Sequence, residues 1–369
     1  MTKPLEIVVL GLSLSSSWGN GHATTYRALL RGAAELGHRI TFLERDVPWY
    51  ASSRDLPDPD FCTLHLYPDL AALDAHAPAI RDADAVIVGS YVPDGPAVID
   101  RVLETARGVV AFYDIDTPVT LAQLARGETP SLESRQIPLF DIYFSFTGGP
   151  TLSRLEREHG ARAARALYCS VEPERYRPTG EPTEWDLGYL GTYSPDRQPT
   201  LDALLIEPAR RLPEKRFVVA GPQYPEDIAW PANVERIPHL PPAEHPSFYA
   251  RQRFTLNVTR ADMIAAGWSP SVRLFEAGAC ATAIVGDTWE GLDALLPDGE
   301  AMLVARGADD VVRILTELPA MRRDMIAATA RARVLADHTG IARARELVAG
   351  IVEARSDRAA VPRKKVAGA

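Results

Sequence analysis

At 369 residues, the chain is long for one ordinary domain and has the length expected of two. A hydrophobic fraction of 46% and a charged fraction of 24% are typical of a globular protein with enough apolar material for two cores. A formal net charge of −9 argues against nucleic acid as the main partner, and three scattered cysteines support neither a disulfide framework nor a zinc site.

The N-terminal apolar run is interpreted as a buried strand. Glu6 interrupts it and no small-residue cleavage site follows, so a signal peptide is not favoured. No stretch reaches the roughly 20 apolar residues of a transmembrane helix. We therefore expect a cytoplasmic protein without a membrane span.

Short apolar runs alternate with helical patterns along the first half, which indicates parallel α/β layering. Each run is rich in Val, Ile or aromatic residues and is bounded by Gly, Pro or Asp. The predicted strands are 5–10, 39–43, 85–88, 109–113, 141–146 and 166–169. Residues 23–36 carry apolar side chains at helical spacing, and Gly37 suits the end of that helix.

The connection after the first strand contains Gly19, Asn20 and Gly21, with His22 just before the helix. Backbone N–H groups in such a turn can hold a phosphate or an acceptor hydroxyl. The turn is not a dinucleotide fingerprint, because Thr24 occupies the third glycine position. Histidine titrates near neutrality, so His22 is a candidate general base, and a capping or loop role is the alternative.

A second polar group ends the strand at 109–113. Asp114 and Asp116 precede a helix that starts at Thr117 and Pro118. Asp116 could serve only as an N-cap, whereas Asp114 is a candidate for orienting the acceptor or acting as a base. The D-x-D spacing also occurs in metal sites. We expect no metal here, because the chain continues into a second complete α/β half.

Residues 170–185 hold three prolines, one glycine and no periodicity, which predicts a linker. The predicted organisation is a first domain at 1–170, a linker at 171–185 and a second domain at 186–337. A helix at 338–355 and a basic tail at 356–369 follow. The strands predicted for the second half are 187–190, 216–220, 234–237, 254–258, 282–285 and 301–304.

The most informative stretch is 255–287. Asn257 and Arg260 follow a buried strand, and a helix opening at Ser271 carries Arg273 and Glu276. Polar groups thus collect at the carboxyl end of a strand, where open α/β sheets bind ligands. The N-terminus of the following helix favours an anionic ligand.

The sequence SVRLFEAGAC at 271–280 matches the pattern S-x-R-x-F-E-A-x-A-C. It resembles the donor half of the GT-B glycosyltransferases, and more narrowly the spore-maturation-protein (CgeB-like) branch of the group-1 type. The DIDTP segment at 114–118 is similar to that branch as well. The resemblance implies an α/β protein with two Rossmann-like domains facing a cleft, and C-terminal helices that can cross back to the first domain.

By this resemblance, Glu276 accepts hydrogen bonds from the ribose diol, and Arg273 lies near the phosphates or the sugar. Ser271 belongs to the same donor motif. Many relatives carry a second glutamate at the position of Trp268, and most carry glycine at that of Ala281. These two departures bear on the contact to the donor sugar.

The resemblance assigns other residues to donor binding. The loop after Gly191, with Arg197, is expected to meet the donor diphosphate, and a surface position after a Ser-Pro turn is the alternative for this arginine. Backbone around His239 is expected to hold the nucleobase. Asn257 and Arg260 are expected in the same crevice, facing phosphate or sugar.

The predicted function is metal-independent transfer of a hexosyl or related sugar from a nucleotide sugar to a small-molecule or glycan acceptor. The nucleotide sugar is a substrate, and no cofactor is expected. A sugar-nucleotide epimerase of the same shape is an alternative. So is a binding protein that keeps donor recognition without turnover.

Overall fold

The computed structural model describes residues 3–18 and 21–360, without the side chains of residues 359 and 360. Within that range the chain forms two compact units. The first contains the residues up to Ser170 and those from Gly340 onward, and the second is Val171–Thr339.

The first unit is built on a parallel sheet. Its strands are β1 (Glu6–Gly11), β2 (Arg39–Arg45), β3 (Thr63–Tyr67), β4 (Ala85–Gly89), β5 (Val109–Asp114), β6 (Ile142–Ser145) and β7 (Ala164–Ala166). The order in the sheet is β3-β2-β1-β4-β5-β6-β7. The strand order reverses at β1, which pairs with both β2 and β4. A crevice is therefore expected where the loops after β1 and β4 diverge.

Helices cover both faces of this sheet. They are α1 (His22–Glu35), α2 (Pro48–Ala51), α3 (Ala77–Asp82), α4 (Gly95–Thr105), α5 (Thr117–Ala125) and α6 (Pro150–Arg157), with 3₁₀ turns at Ala72–His76 and Ser134–Leu139. Successive strand side chains point to opposite faces, so Ile7 and Val9 join one core while Val8 and Leu10 join the other. Each fully buried Val, Leu or Ile contributes roughly 1.5–3 kcal/mol.

The second unit repeats the design. Its strands are β8 (Trp185–Leu190), β9 (Phe217–Ala220), β10 (Val234–Ile237), β11 (Gln252–Asn257), β12 (Ala283–Gly286) and β13 (Leu303–Val304). The order is β10-β9-β8-β11-β12-β13, with parallel pairing. This order reverses at β8, so the loops after β8 and β11 flank a second crevice.

The helices of the second unit are short at first, and the longest ones come at the end of its sequence. They are α7 (Gln198–Leu201), α8 (Glu207–Arg211), α9 (His245–Ala250), α10 (Ala261–Ala266), α11 (Val272–Ala279), α12 (Leu292–Leu295), α13 (Ala308–Glu317) and α14 (Ala320–Asp337). A π-helical turn at Asp202–Ile206 joins α7 to α8, and a 3₁₀ turn lies at Pro242–Glu244.

The last helix, α15 (Gly340–Ala360), belongs to the first unit and packs on α1. The two helices approach closely at a pair of glycines. A Cβ added to Gly32 would lie 2.4 Å from the Gly340 carbonyl, and one added to Gly340 would lie 2.0 Å from the Ala28 oxygen. The predicted tail at 356–369 differs from the structure, because α15 continues to Ala360. Residues 361–369 lie outside the described range.

The sheets confirm the predicted α/β fold class. Besides the tail, several segments differ from the sequence prediction, and the strand predicted at 166–169 lies at Ala164–Ala166. The edge strand β3 was not predicted, because only Tyr67 of its five residues is buried. Residues 171–185, predicted as a linker, belong to the second unit. Val171 bridges to Thr339, and the hydroxyl of buried Tyr176 lies 3.4 Å from His245 Nδ1. The start of the segment is thus packed on the second unit, whereas residues 177–183, with two of its three prolines, are exposed.

Candidate functional site

The loops after β8 and β11 bring basic side chains to the crevice of the second sheet. Arg197 precedes α7, Arg260 is the N-cap of α10, and Arg273 lies in the first turn of α11. Burial lowers the pKa of Arg197, and the positive charges of Arg273 and Arg260 lower it further. The three arginines are therefore close enough for their charges to interact, and their role in a shared phosphate site stays a prediction.

Arg197 and Arg273 bond to neutral oxygens. Arg197 is only 7% exposed, and its Nη2 donates to the Thr192 carbonyl at 2.6 Å. Its buried Nε has no hydrogen-bond partner within the described residues. Arg273 donates from Nη1 to the Ser271 hydroxyl at 3.1 Å. A buried guanidinium without a carboxylate partner is costly, so this arrangement suits an anionic ligand.

The N-terminus of α11 lies beside these arginines. Ser271 is its N-cap, and the hydroxyl accepts from the Arg273 backbone N–H at 3.3 Å. The remaining N–H groups of a first turn carry partial positive charge and favour an anion. The predicted helix start at Ser271 is confirmed, and it adds to the positive potential of the crevice.

Glu276 lies one turn further along α11 and is buried. Its Oε2 accepts a hydrogen bond from the Tyr249 hydroxyl at 3.0 Å and lies 3.8 Å from His245 Nδ1. Burial lowers the pKa of His245, and the Glu276 charge opposes that shift. Burial and the Glu276 charge hold the pKa of Tyr176 well above its ordinary value. These three partners of Glu276 were not predicted, because they come from distant segments.

Asn257 ends β11 and is buried. Its amide nitrogen donates to the Thr259 hydroxyl at 3.3 Å, whereas its carbonyl oxygen has no partner in the described chain. Thr259 is fixed by Asp287, which accepts from its N–H at 2.8 Å and its hydroxyl at 2.7 Å. Burial raises the pKa of Asp287. Asn257 thus keeps one polar atom available for a ligand.

Two other predicted donor residues have different surroundings. Gly191 donates its N–H to Ala220 and accepts from the Tyr224 hydroxyl. A Cβ there would lie 2.5 Å from the Tyr189 hydroxyl, so packing alone explains this glycine. His239 lies exposed on the loop after β10, and its role near a nucleobase stays a prediction.

In the first unit, His22 is the first residue of α1 rather than a loop residue, and it is buried. Its Nε2 lies 3.5 Å from Asp116 Oδ2, and its ring meets that of Tyr91 edge-on at 5.4 Å. Its Nδ1 has no hydrogen-bond partner among the residues that the structure describes. The unpartnered Nδ1 is itself enclosed, and the role of His22 as a general base stays a prediction.

The turn before His22 is only partly described. Gly21 is the N-cap of α1, its carbonyl accepts the Thr25 N–H at 3.2 Å, and no atom would meet a Cβ placed on it within 4 Å. Gly19 and Asn20 lie outside the described residues. Their predicted role in holding phosphate or acceptor stays a prediction.

The structure corrects the assignment of Asp114. This carboxylate is completely buried and accepts from the Tyr143 hydroxyl at 2.6 Å, the Thr120 hydroxyl at 2.9 Å and the Asp116 N–H at 3.2 Å. Burial outweighs these bonds and raises its pKa to about 6. A carboxylate enclosed in this way holds β5 to α5 and is not available to an acceptor.

Asp116 is the N-cap residue of α5, as the alternative predicted, but its side chain makes no capping bond. This side chain is 38% exposed and lies beside His22. Residues two apart on a strand face the same side, so the two aspartates differ by position: Asp114 is the last residue of β5, whereas Asp116 lies beyond the strand. In the described part of the chain, no group of three or more His, Cys, Asp or Glu side chains is arranged to hold a metal ion, and none of the helices is long and apolar enough to cross a bilayer.

Comparison with known proteins adds to this geometry. The family model described as glycosyl transferase-like matches residues 197–349. A search of curated proteins found no match.

Solved structures show a similar fold over nearly the whole chain. The sucrose-phosphate synthase of Thermosynechococcus elongatus has 14% identity and a TM-score of 0.65, and Anabaena HepE in complex with UDP-glucose has 11% identity and a TM-score of 0.65. An alpha-glucosyltransferase in complex with UDP-glucose and DNA containing an abasic site has 13% identity and a TM-score of 0.67. Each match covers 95% of this chain and 100% of the other. The fold is that of the GT-B glycosyltransferases, as the sequence predicted.

Proposed function

We propose that this chain is a glycosyltransferase that moves a sugar from a nucleotide donor to an acceptor hydroxyl. The observation that carries the proposal is the group of Arg197, Arg260 and Arg273 at the crevice of the second sheet. Two of the three bond to neutral oxygens. A diphosphate would supply the anionic partner that these two guanidinium groups do not have among the described residues.

In this proposal, the arginines act mainly when the bond between the anomeric carbon and the phosphate oxygen breaks. Negative charge then grows on the departing nucleotide, and the positive charges of buried Arg197, half-buried Arg273 and exposed Arg260 stabilise it. The first turn of α11 adds backbone N–H donors. The transferred sugar forms its new bond with the acceptor oxygen, and the acceptor proton leaves to a base.

Glu276 is proposed to bind the ribose diol. Its buried carboxylate is oriented by Tyr249 and lies beside His245, so its position is set before the donor arrives. A carboxylate can accept two hydrogen bonds from neighbouring hydroxyls. Asn257, with an unpartnered carbonyl oxygen, is proposed to accept a further hydroxyl of the donor.

On the first unit, His22 is proposed to handle the acceptor proton. The neighbouring carboxylate of Asp116, 3.5 Å from Nε2, orients the ring. The phosphate of the donor is the alternative base, and both routes balance the reaction. The stereochemical outcome depends on which route operates.

Finer assignments belong to the same proposal. We propose that transfer needs no metal ion, because the arginines are assigned the charge stabilisation that a metal ion would otherwise supply. The hexosyl nature of the donor sugar, the cytoplasmic location and the spore-maturation-like branch are supported by the sequence resemblance alone.

A ligand screen followed by a turnover assay tests this function. Thermal unfolding is measured with UDP-, GDP- and TDP-linked sugars. A true donor at 100 times its dissociation constant should add about 2.7 kcal/mol to the free energy of unfolding. Nucleotide release that requires both the donor and an acceptor separates an enzyme from a binding protein, and interconversion of free donor sugars would support an epimerase. No stabilisation by any nucleotide sugar contradicts the proposal.

A further inference from the structure

Two tryptophans are prominent on the surface of the first unit. Trp18, in the loop after β1, is 58% exposed, and Trp49, in α2 after β2, is 57% exposed. Because β1 and β2 are parallel neighbours, both loops leave the same edge of the sheet as the connection to His22. Single exposed apolar residues are ordinary, but two indoles on joined loops at a candidate active edge indicate a binding surface.

The loop that carries Trp18 is fixed by a buried carboxylate. Glu44, fully buried in β2, accepts the N–H groups of Leu14 at 2.6 Å and Ser15 at 2.9 Å. It also accepts the hydroxyls of Ser15 at 2.6 Å and Ser13 at 3.3 Å. A buried carboxylate is costly unless its oxygens are bonded, so these four bonds hold the loop in one shape.

A second set of bonds joins this loop to the one that carries Trp49. Asp55 accepts two bonds from Arg27 of α1, both at 2.8 Å, and two from Ser17, both at 2.9 Å. The Ser16 hydroxyl donates to the Ser53 carbonyl at 2.7 Å. The bonds from Arg27 and Ser17 outweigh the burial of Asp55 and hold its pKa well below the usual range. The two loops and the start of α1 therefore form one rigid piece.

We propose that Trp18 and Trp49 form an aromatic platform for the acceptor, and that the acceptor is a saccharide. This inference rests on the proposed function. Because the loops that carry the two indoles are held in one shape, a ligand can bind them with little loss of backbone conformational entropy. The C–H faces of a sugar ring pack on an indole, and its hydroxyls bond to polar groups beside the platform.

The surroundings of the platform favour a saccharide over an acyl chain. Ser17, Asp46 and Arg54 lie on the same two loops, and Arg54 donates to the Ser15 hydroxyl and pairs with Asp46. Such side chains provide donors and acceptors next to each indole. The Asp46 carboxylate is 45% exposed and can accept hydrogen bonds beyond the one from Arg54, which sugar hydroxyls can donate and an acyl chain cannot. Alternating apolar and polar contacts match the alternating C–H faces and hydroxyl edges of sugars.

The test uses the full chain with Trp18→Ala, Trp49→Ala, the double variant and the two Trp→Phe variants. Met321→Ala is the matched control, since Met321 is 77% exposed in the second unit. Binding to an array of oligosaccharides is measured for each protein, together with thermal stabilisation by nucleotide sugars. We expect each Trp→Ala change to weaken saccharide binding about two- to tenfold, the double variant more, and the Phe variants less.

Transfer to a saccharide from the array gives the second readout. The Trp→Ala variants should raise KM for the acceptor and leave stabilisation by the donor unchanged. The inference is overturned if the wild type binds no oligosaccharide, or if the double variant binds and transfers like Met321→Ala. If no nucleotide sugar stabilises the wild type, the result counts against the proposed function instead, so the two failures are distinguishable.

Discussion

The two crevices of this molecule use buried charge in opposite ways. In the first unit, buried Glu44 accepts hydrogen bonds from the loop after β1, and Arg27 is paired with Asp55. In the second unit, buried Arg197 keeps an unpartnered Nε and has other arginines nearby. Charge that is internally satisfied stabilises a shape, whereas charge left unsatisfied is available to a ligand. The comparison predicts a preorganised acceptor surface in one unit and a phosphate site in the other.

We expect the largest effect at His22, whose Nδ1 has no hydrogen-bond partner in the described chain. If His22 takes the acceptor proton, His22→Ala should reduce kcat by roughly 10²–10⁴, and His22→Gln should not restore it. Asp116→Asn should cause a smaller loss, because it removes only the charge beside the imidazole. Steady-state kinetics with His65→Ala, an exposed histidine in β3, as control gives the answer.

Recovery by His22→Gln would mean that the residue only donates a hydrogen bond. A normal rate in His22→Ala would assign the proton to the donor phosphate. Either result would mean that His22 is not the base, so the first unit would position the acceptor without taking its proton.

A somewhat smaller effect is expected in the second crevice. Arg197→Ala should lower kcat about 10²–10³-fold, because a buried donor aimed at developing charge is lost. Arg273→Ala should act in the same direction. Arg313→Ala, an exposed arginine paired with Asp310, is the matched control. Full activity in both variants would mean that the phosphate site lies elsewhere.

Glu276 should affect donor binding by roughly ten- to hundredfold. A charged hydrogen bond contributes about 1.5–3 kcal/mol, so Glu276→Gln should weaken nucleotide binding without a comparable loss in kcat. The Gln variant keeps the size of the side chain and spares the fold. Calorimetric titration with the donor nucleotide measures the change, with exposed Glu300→Gln as control. Unchanged affinity would exclude the ribose contact.

The smallest effect tests the corrected role of Asp114 through stability. Its pKa is raised to about 6 from the 3.8 of an unperturbed Asp. The protonated carboxyl therefore favours the folded state below pH 4, and that contribution is lost as the pH rises through 6. We expect the free energy of unfolding of the wild type, relative to Asp114→Asn, to fall by about 1–3 kcal/mol from pH 4 to pH 7. A difference independent of pH would contradict the raised pKa.

The sequence predicted most of the fold, because the buried strands of a parallel sheet are continuous apolar runs. It missed β3, where exposed positions interrupt the apolar run. It did not predict that Asp114, the last residue of β5, is enclosed while Asp116, beyond the strand, is partly exposed. The role of Glu44 could not be predicted, because its partners lie about 30 residues away in a loop without periodicity. Local patterns predict elements, whereas contacts between loops depend on the assembled sheet.

The central claim is that the second crevice binds a diphosphate through its arginines, of which buried Arg197 keeps an Nε without a partner in the described chain. Calorimetric titration of the wild type and Arg197→Ala with a nucleoside and with the corresponding nucleoside diphosphate tests it most directly. The account predicts that the wild type binds the diphosphate at least tenfold more tightly than the nucleoside. Arg197→Ala should lose most of that difference and keep its affinity for the nucleoside. Equal affinity of the wild type for both ligands, or an equal preference for the diphosphate in the variant, would contradict the claim.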